Sequence, residues 1–354
     1  MTVNQNFWQG RRVFLTGHTG FKGSWTVLWL KKMGAIVKGY ALPPNTNPSI
    51  FIIANISEGI ESTIGDVRDI EKLKSSMGSF KPEIVIHMAA QPLVRASYDD
   101  PVLTYSTNVI GTVNLLEAVR ECPSVRSVVN VTTDKCYENK EWIWGYRENE
   151  AMGGHDPYSS SKGCSELVTS AYQRSFFSGT SKVSLASARA GNVVGGGDWS
   201  EDRLIPDTLS AFQNQKAVLI RNPLATRPWQ HVLEPICGYL TLAENLFHSG
   251  DLFVGGWNFG PGDSGTRPVD EVVSYLVDKW PGNVSWESDE NQHLHEAKSL
   301  KLDISKSRSR LNWSPKWELE YTLDRIIDWQ QAWLRGNNMR EISLKQIDDY
   351  ELTM

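Results

Sequence analysis

Over its first 190 residues the chain repeats one pattern: a short, almost wholly apolar run followed by a longer stretch with helical spacing. The runs are RVFLTG (12–17), AIVKGY (35–40), STIGDV (62–67), EIVIHMAA (83–90), SVVNVTT (127–133) and VSLASARA (183–190). Helical patterning falls on 23–33, 70–79, 101–121 and 157–177. Strands that are apolar at nearly every position are buried on both faces. Strands alternating with helices pair in parallel through right-handed crossovers. The expected architecture is therefore α/β, a doubly wound parallel sheet.

Past residue 190 the pattern changes. Glycine- and tryptophan-rich stretches, GNVVGGGDW (191–199) and VGGWNFGPGDSG (254–265), read as loops between shorter helices at 203–214, 234–248 and 269–280. This predicts a smaller, loop-rich C-terminal portion closing over the carboxyl ends of the strands, where ligands bind in open α/β sheets. No Pro/Gly/Ser linker separates the two parts, so they are expected to interleave. Residues 338–354 are polar and are expected to fray.

Bulk properties narrow the partners. The net charge of -5 gives no reason to expect nucleic-acid binding. No run of about 18 apolar residues occurs, and MTVNQNFWQGRRVF lacks a signal-peptide core, so no membrane association and a cytoplasmic location are expected. Cys122, Cys136, Cys164 and Cys237 form no CxxC pair and are expected as buried, reduced thiols, with no metal site. The 14 tryptophans are expected mostly in core and interface packing.

The stretch FLTGHTGFKGSW (14–25) runs from a strand through Gly17, Gly20 and Gly23 into an apolar helix. In that context the first glycine permits a tight turn, the second lets backbone approach a pyrophosphate, and the third packs helix on strand. The pyrophosphate then lies at the positive end of the helix. A plain strand-helix turn is the competing reading. His18 and Lys22 flank the helix start, where cations oppose the dipole unless an anion is present.

The GxxGxxG spacing resembles the extended, sugar-nucleotide branch of the short-chain dehydrogenase/reductase superfamily. Asp66-Val67, at the end of the third strand, resembles the family's adenine-binding pair. HMAAQP (87–92) resembles its alanine-rich strand end, and Asn108 its structural asparagine. The resemblance implies a Rossmann domain over 1–190. It places the cofactor contacts on Gly17, Thr19, Gly20, Phe21, Lys22, Gly23, Asp66, Val67, Ala89, Ala90, Gln91, Asn108, Tyr158 and Lys162. The second strand ends VKGYALPPN, with neither an acid for ribose hydroxyls nor an arginine for a 2′-phosphate; Lys38 is the nearest cation. The expected cofactor is NAD.

Tyr158 and Lys162 form a YxxxK pair, and i and i+4 share a helical face. An ammonium there is expected to lower the tyrosine pKa, because an unperturbed phenol near 10 is a poor base at neutral pH. Tyr275 and Lys279 repeat the spacing outside the β-α-β region and read as a decoy. Thr133 ends a strand, where the family places a hydroxyl for the substrate, and Asp134 and Lys135 follow it.

Together, TTDKCYEN, HTGFKGSW, AAQPLVRASY and RPWQHVLEP resemble the CDP-glucose 4,6-dehydratases across essentially the whole chain. The dehydratase signature is Thr-Asp-Glu; here Lys135 stands in place of the glutamate. The resemblance implies Tyr158 as base with Thr133, Asp134 as acid, and Lys135 as either C5 base or enolate-stabilising cation. It implies a 191–354 portion that mainly binds nucleotide sugar, with Gln91, Arg95, Asn192, Arg203 and Arg227 gripping CDP-glucose. Arg189 is expected to be structural, and His231 a hydrogen-bonded loop histidine. Helices 101–121 and 157–177 are expected to build a homodimer, alone or as a tetramer of dimers. A 4-epimerase or decarboxylase on the same fold, and a non-catalytic NAD-sensing protein, are the alternatives.

Overall fold

The computed structural model describes residues 3–289, 291 and 299–353. Its central sheet has seven parallel strands: β1 (Arg12–Thr16), β2 (Ile36–Ala41), β3 (Glu61–Ile64), β4 (Ile84–His87), β5 (Ser127–Val131), β6 (Ser184–Ala190) and β7 (Gly255–Phe259). Their order is β7-β6-β5-β4-β1-β2-β3, so the order in which the chain adds strands reverses between β1 and β4. Ligands of such sheets bind at this switch point. Thr16 of β1 is in register with His87 of β4, which puts both strand ends at the crevice.

Val13, Phe14 and Leu15 of β1 and Ile84, Val85 and Ile86 of β4 are fully buried, because helices cover both faces. One face carries Phe21–Lys32, Leu233–Ser249 and the C-terminal helix Met339–Leu352. The other carries Ile70–Phe80, Gly111–Arg120 and Pro157–Ser175. A further core lies between Leu204–Gln213, Val269–Lys279 and Leu319–Leu334.

Four expectations need correction. The 254–265 stretch contains a strand: Gly255–Phe259 pairs with β6, Trp257 opposite Ala188. Its glycines hide the apolar signal, and Gly256 is required because a Cβ there would lie 2.4 Å from the Arg189 guanidinium. The third strand ends at Ile64, so Asp66 and Val67 lie in the turn beyond it. Position 65 must be glycine, since a Cβ there would meet the Tyr40 ring at 2.4 Å.

The 101–121 helix is split: Pro101–Tyr105 is α-helical, Ser106–Ile110 forms a π turn, and Gly111–Arg120 resumes the α-helix. The 338–354 segment is ordered as a helix, capped by the Asn338 side chain on the Arg340 and Glu341 amides. Met339, Ile347 and Tyr350 are buried. Its polar residues bond inward, Glu351 accepting from Trp29 Nε1 at 2.7 Å and the Tyr350 hydroxyl donating to Glu234 at 2.6 Å.

Candidate active site

The glycine turn sorts its three glycines by function. Gly17 has φ +78, and a Cβ there would lie 2.8 Å from the Ala89 amide nitrogen. A Cβ on Gly23 would lie 2.1 Å from the Gly17 carbonyl oxygen. Gly20 faces open space, with only the Gly17 oxygen at 3.4 Å. Gly20 is also the N-cap of Phe21–Lys32, and no side chain caps that helix start. Uncapped amides at a positive helix end beside an open backbone surface suit an anionic group such as a dinucleotide pyrophosphate.

Neighbouring side chains shape this cradle. The Thr19 hydroxyl donates to the Leu42 carbonyl at 2.8 Å, tying the turn to the end of β2. Thr16 Oγ1 accepts from the Met88 and Ala89 amides at 3.1 Å each, so its own proton goes to His87 Nδ1 at 2.7 Å. Phe21, Ala89 and Ala90 are half-buried around the crevice.

His18, whose role the sequence left open, is not a cation at the helix start. Its ring is buried over Gly39, bonds Ser62 Oγ at 2.7 Å, and is pushed down to about 4 by burial. Lys22 is half-buried and pushed down to about 7, first by burial and then by the charges of Arg203 and Lys162. Lys38 turns away to Glu61 at 3.3 Å.

Asp66, in the turn after β3, has its carboxylate gripped by Arg68 at 2.5 Å. Val67 packs against Gly111, where a Cβ would meet it at 2.7 Å. Asn108 faces inward from the π turn, accepting from the Gln91 amide at 2.9 Å and donating to the Gln91 carbonyl at 3.0 Å and Ser161 Oγ at 2.9 Å. Its amide braces the crevice wall. The Gln91 side chain is likewise turned into its own loop, donating to Leu93 O at 3.0 Å and Thr104 Oγ1 at 2.9 Å.

Tyr158 and Lys162 rise from the first turns of Pro157–Ser175, a helix started by Pro157 and capped by Asp156 on the Ser159 amide at 2.9 Å. Both side chains are buried. Lys162 Nζ lies 3.5 Å from the Val131 carbonyl. Burial favours the neutral form of each group. It pushes the phenol up to about 12, against the pull of Thr133 and Arg203, and the ammonium down to about 8. The expected lowering of the phenol is thus reversed in the protein alone.

Thr133, expected to end a strand, lies two residues past β5 at the start of the Asp134–Cys136 turn, and donates to Asp134 Oδ1 at 3.0 Å. Asp134 is buried, and its Oδ2 has no hydrogen-bond partner among the described residues. That oxygen occupies the place of a side chain at Gly191, where a Cβ would lie 1.7 Å away. Burial raises the carboxyl pKa, although Lys135, Thr133, Arg227 and Lys22 all oppose it. Lys135 is half-buried at the rim.

Arg203, before the Leu204–Gln213 helix, pairs with Asp198 at 3.0 Å, and its charge reaches Tyr158 and Lys22. Arg227, on the Thr226–Pro228 strand, donates to the Thr226 carbonyl at 3.0 Å, and its charge reaches Asp134. Asn192 follows β6 in a left-handed conformation, φ +42. Arg95 lies on the outer rim, paired with Asp202 at 3.0 Å. The structure thus gathers Lys22, Thr133, Asp134, Tyr158, Lys162, Arg203 and Arg227 on one floor.

Arg189 is structural, in a buried pair with Glu166 at 2.8 Å. His231 is buried beside Trp25 and Trp317, accepts from the Leu233 amide at 3.3 Å, and is pushed down to about 3 by burial. Tyr275 and Lys279 both face Asp324, away from the floor. Sequence reading missed Gly191, Glu166 and Tyr239. The Tyr239 hydroxyl is buried without a partner among the described residues and feels the charges of Tyr158 and Asp134. No local pattern marks Gly191 or Tyr239; Glu166 lies one helical turn past Lys162, the only signal available.

A family model described as GDP-mannose 4,6 dehydratase matches residues 14–258. A CDP-glucose 4,6-dehydratase of Salmonella typhimurium is 57% identical over 352 residues, 98% of each chain. A CDP-paratose 2-epimerase of Salmonella typhi is 23% identical, over 91% of this chain and 99% of that one. Among solved structures, a dTDP-glucose 4,6-dehydratase of Streptomyces venezuelae with NAD bound shares the fold at TM-score 0.77 and 22% identity, covering 92% of this chain and 98% of that one. The chain belongs to the nucleotide-sugar 4,6-dehydratases of the extended short-chain dehydrogenase/reductase superfamily, in one family with the Salmonella typhimurium enzyme.

Proposed function

We infer that the protein catalyses the NAD-dependent 4,6-dehydration of CDP-D-glucose to CDP-4-dehydro-6-deoxy-D-glucose. The observation that carries the reading is Asp134: a buried carboxyl with a raised pKa, beside Thr133 on the floor that holds Tyr158 and Lys162. Such a group keeps a proton to give away. Identity of 57% to a CDP-glucose 4,6-dehydratase supports the nucleotide.

The cradle residues Gly17, Gly20, Gly23 and Lys22, with Thr19, Phe21, Asp66, Val67, Ala89, Ala90, Gln91 and Asn108 lining or bracing it, would hold NAD. When bound, NAD supplies positive charge that favours the phenolate, a hydride acceptor for C4, and the same hydride for C6. Tyr158, oriented with Thr133, takes the proton of the sugar 4-hydroxyl. Lys162 and Arg203 favour the phenolate electrostatically. The resulting 4-ketone acidifies the C5 proton. Lys135 removes that proton or stabilises the enolate, and Asp134 protonates the departing 6-hydroxyl. Arg227, Asn192 and Arg203 grip the diphosphate, with Arg95 at the rim.

Val102, Ile110 and Leu167 are 77%, 51% and 61% exposed on adjoining helices of the 101–120 and 157–175 segments. We assign this apolar surface to a homodimer. The reaction belongs to deoxysugar synthesis for surface polysaccharides such as O-antigen. Among the described residues no helix is long and apolar enough to cross a membrane.

The test is incubation with NAD and CDP-, UDP-, GDP- and dTDP-glucose. The expected product is CDP-hexose lighter by one water, read by mass spectrometry; isomerisation without water loss would refute the reading. Solvent deuterium exchange at C5 in Lys135→Met decides between base and cation: exchange that persists removes Lys135 as the base.

A further inference from the structure

One helical turn below Lys162, Glu166 sits at the centre of a buried polar network. It accepts from Thr132 Oγ1 and Ser187 Oγ at 2.5 Å each, and from Arg189 Nε at 3.0 Å and Nη2 at 2.8 Å. Arg189 also donates to the Tyr137 hydroxyl at 2.6 Å and the Glu148 carbonyl at 3.1 Å, and Tyr137 donates to Asn258 at 2.7 Å. The network joins the Tyr158 helix, β5, β6, the loop after Asp134 and β7. The side chains of Glu166 and Arg189 are only 4% and 5% exposed.

Fold stability alone does not explain this pair. A buried ion pair roughly cancels its own desolvation cost, and an apolar pair of similar volume is often as stable. Its position is more telling. Thr132, which it holds, immediately precedes Thr133 and Asp134. Lys162, which shares a helical face with it, is buried and loses its charge readily; among its neighbours, Glu166 opposes that loss first. Besides Glu166, the groups around Lys162 are Tyr158 on the same helix, Cys136 on the turn after Asp134, His87 on β4 and Lys22 on the glycine-turn helix. Glu166 is held ionised by Arg189, Ser187 and Thr132.

We propose that Glu166 is a positioning residue of the dehydration: from beneath the floor it fixes the Thr132–Asp134 segment and keeps Lys162 cationic. The proposal rests on the dehydratase reading for its kinetic consequence only. Its electrostatic content concerns Lys162 whatever the reaction.

Two readouts separate the two. Lysine labelled with carbon-13, with the Lys162 signal assigned by its loss in Lys162→Met, gives the ionisation midpoint of Lys162 directly. The pH profile of kcat/KM gives its effect on turnover. In Glu166→Gln the Lys162 midpoint is expected to fall by about one unit. The alkaline limb of the profile should move down by the same amount. Glu166→Asp, which keeps the charge, should restore the midpoint. Should Glu166→Gln not fold with Arg189 left unpaired, Glu166→Gln/Arg189→Gln removes both charges, and the midpoint is expected to fall by less, because a neighbouring cation goes with the anion. An unchanged midpoint in a folded variant, with activity reduced equally at every pH, overturns the proposal. Absence of water loss in the wild-type product refutes the dehydratase reading instead, and leaves the titration as the test.

Discussion

Asp134 occupies space that only glycine leaves at position 191. Substituting either residue therefore acts on one function. In Asp134→Asn, dehydration should fall by about 10²–10⁴-fold, while oxidation at C4 still proceeds and reduced nicotinamide accumulates optically. Gly191→Ala should give the same pattern by displacing the carboxyl; equal loss of both half-reactions would contradict it. The carboxyl also costs stability. Its folded pKa lies above its unfolded value, so that cost is absent below the unfolded pKa and grows as pH rises through the folded one. Asp134→Asn should raise the melting temperature more at about pH 8 than at about pH 4. An equal gain at both would mean the carboxyl is not held protonated. Sequence pattern located Asp134 and, as the acid of a dehydration, required it to hold a proton through burial; it did not show what buries it, because Gly191 comes from distant chain.

At the scale of elements, the glycine turn divides binding from folding. Gly20→Ala should leave the melting temperature of the protein alone near wild type and weaken NAD binding by about tenfold or more, because the Cβ enters the cradle. Gly23→Ala should instead destabilise the protein, because its Cβ would strike the Gly17 carbonyl. Calorimetric titration and thermal melts together distinguish them; equal binding by Gly20→Ala would remove the pyrophosphate assignment. The C-terminal helix makes a second case. Tyr350→Phe leaves Glu234, pushed up to about 7 by burial, without one of its donors. It should cost about 1–3 kcal/mol in urea unfolding. The main strands and helices were legible because their periods are local. The 338–354 helix was not, because its few apolar positions gain meaning only against Trp29 and Glu234. The Gly255–Phe259 strand was hidden for a similar reason: its glycine makes room for Arg189.

For the whole molecule, assembly is the testable property. Val102→Glu/Leu167→Glu places charge on the exposed apolar helices, and should convert the proposed dimer to monomer in analytical ultracentrifugation without lowering the helical circular dichroism. A wild-type monomer, or a double variant that remains dimeric, removes those helices as the interface.

By itself the sequence determined the parallel α/β sheet, the glycine turn at the end of β1, and the Tyr158/Lys162 pair on one helical face. Each is encoded in residues a few positions apart. Tertiary structure alone decided the ionisation of the site. Burial pushes Tyr158 up and Lys162 down, Gly191 makes room for Asp134, and the Glu166–Arg189 pair lies beneath Lys162. A pKa depends on desolvation and on charges within a few ångströms, and those neighbours arrive from strands and loops far along the chain.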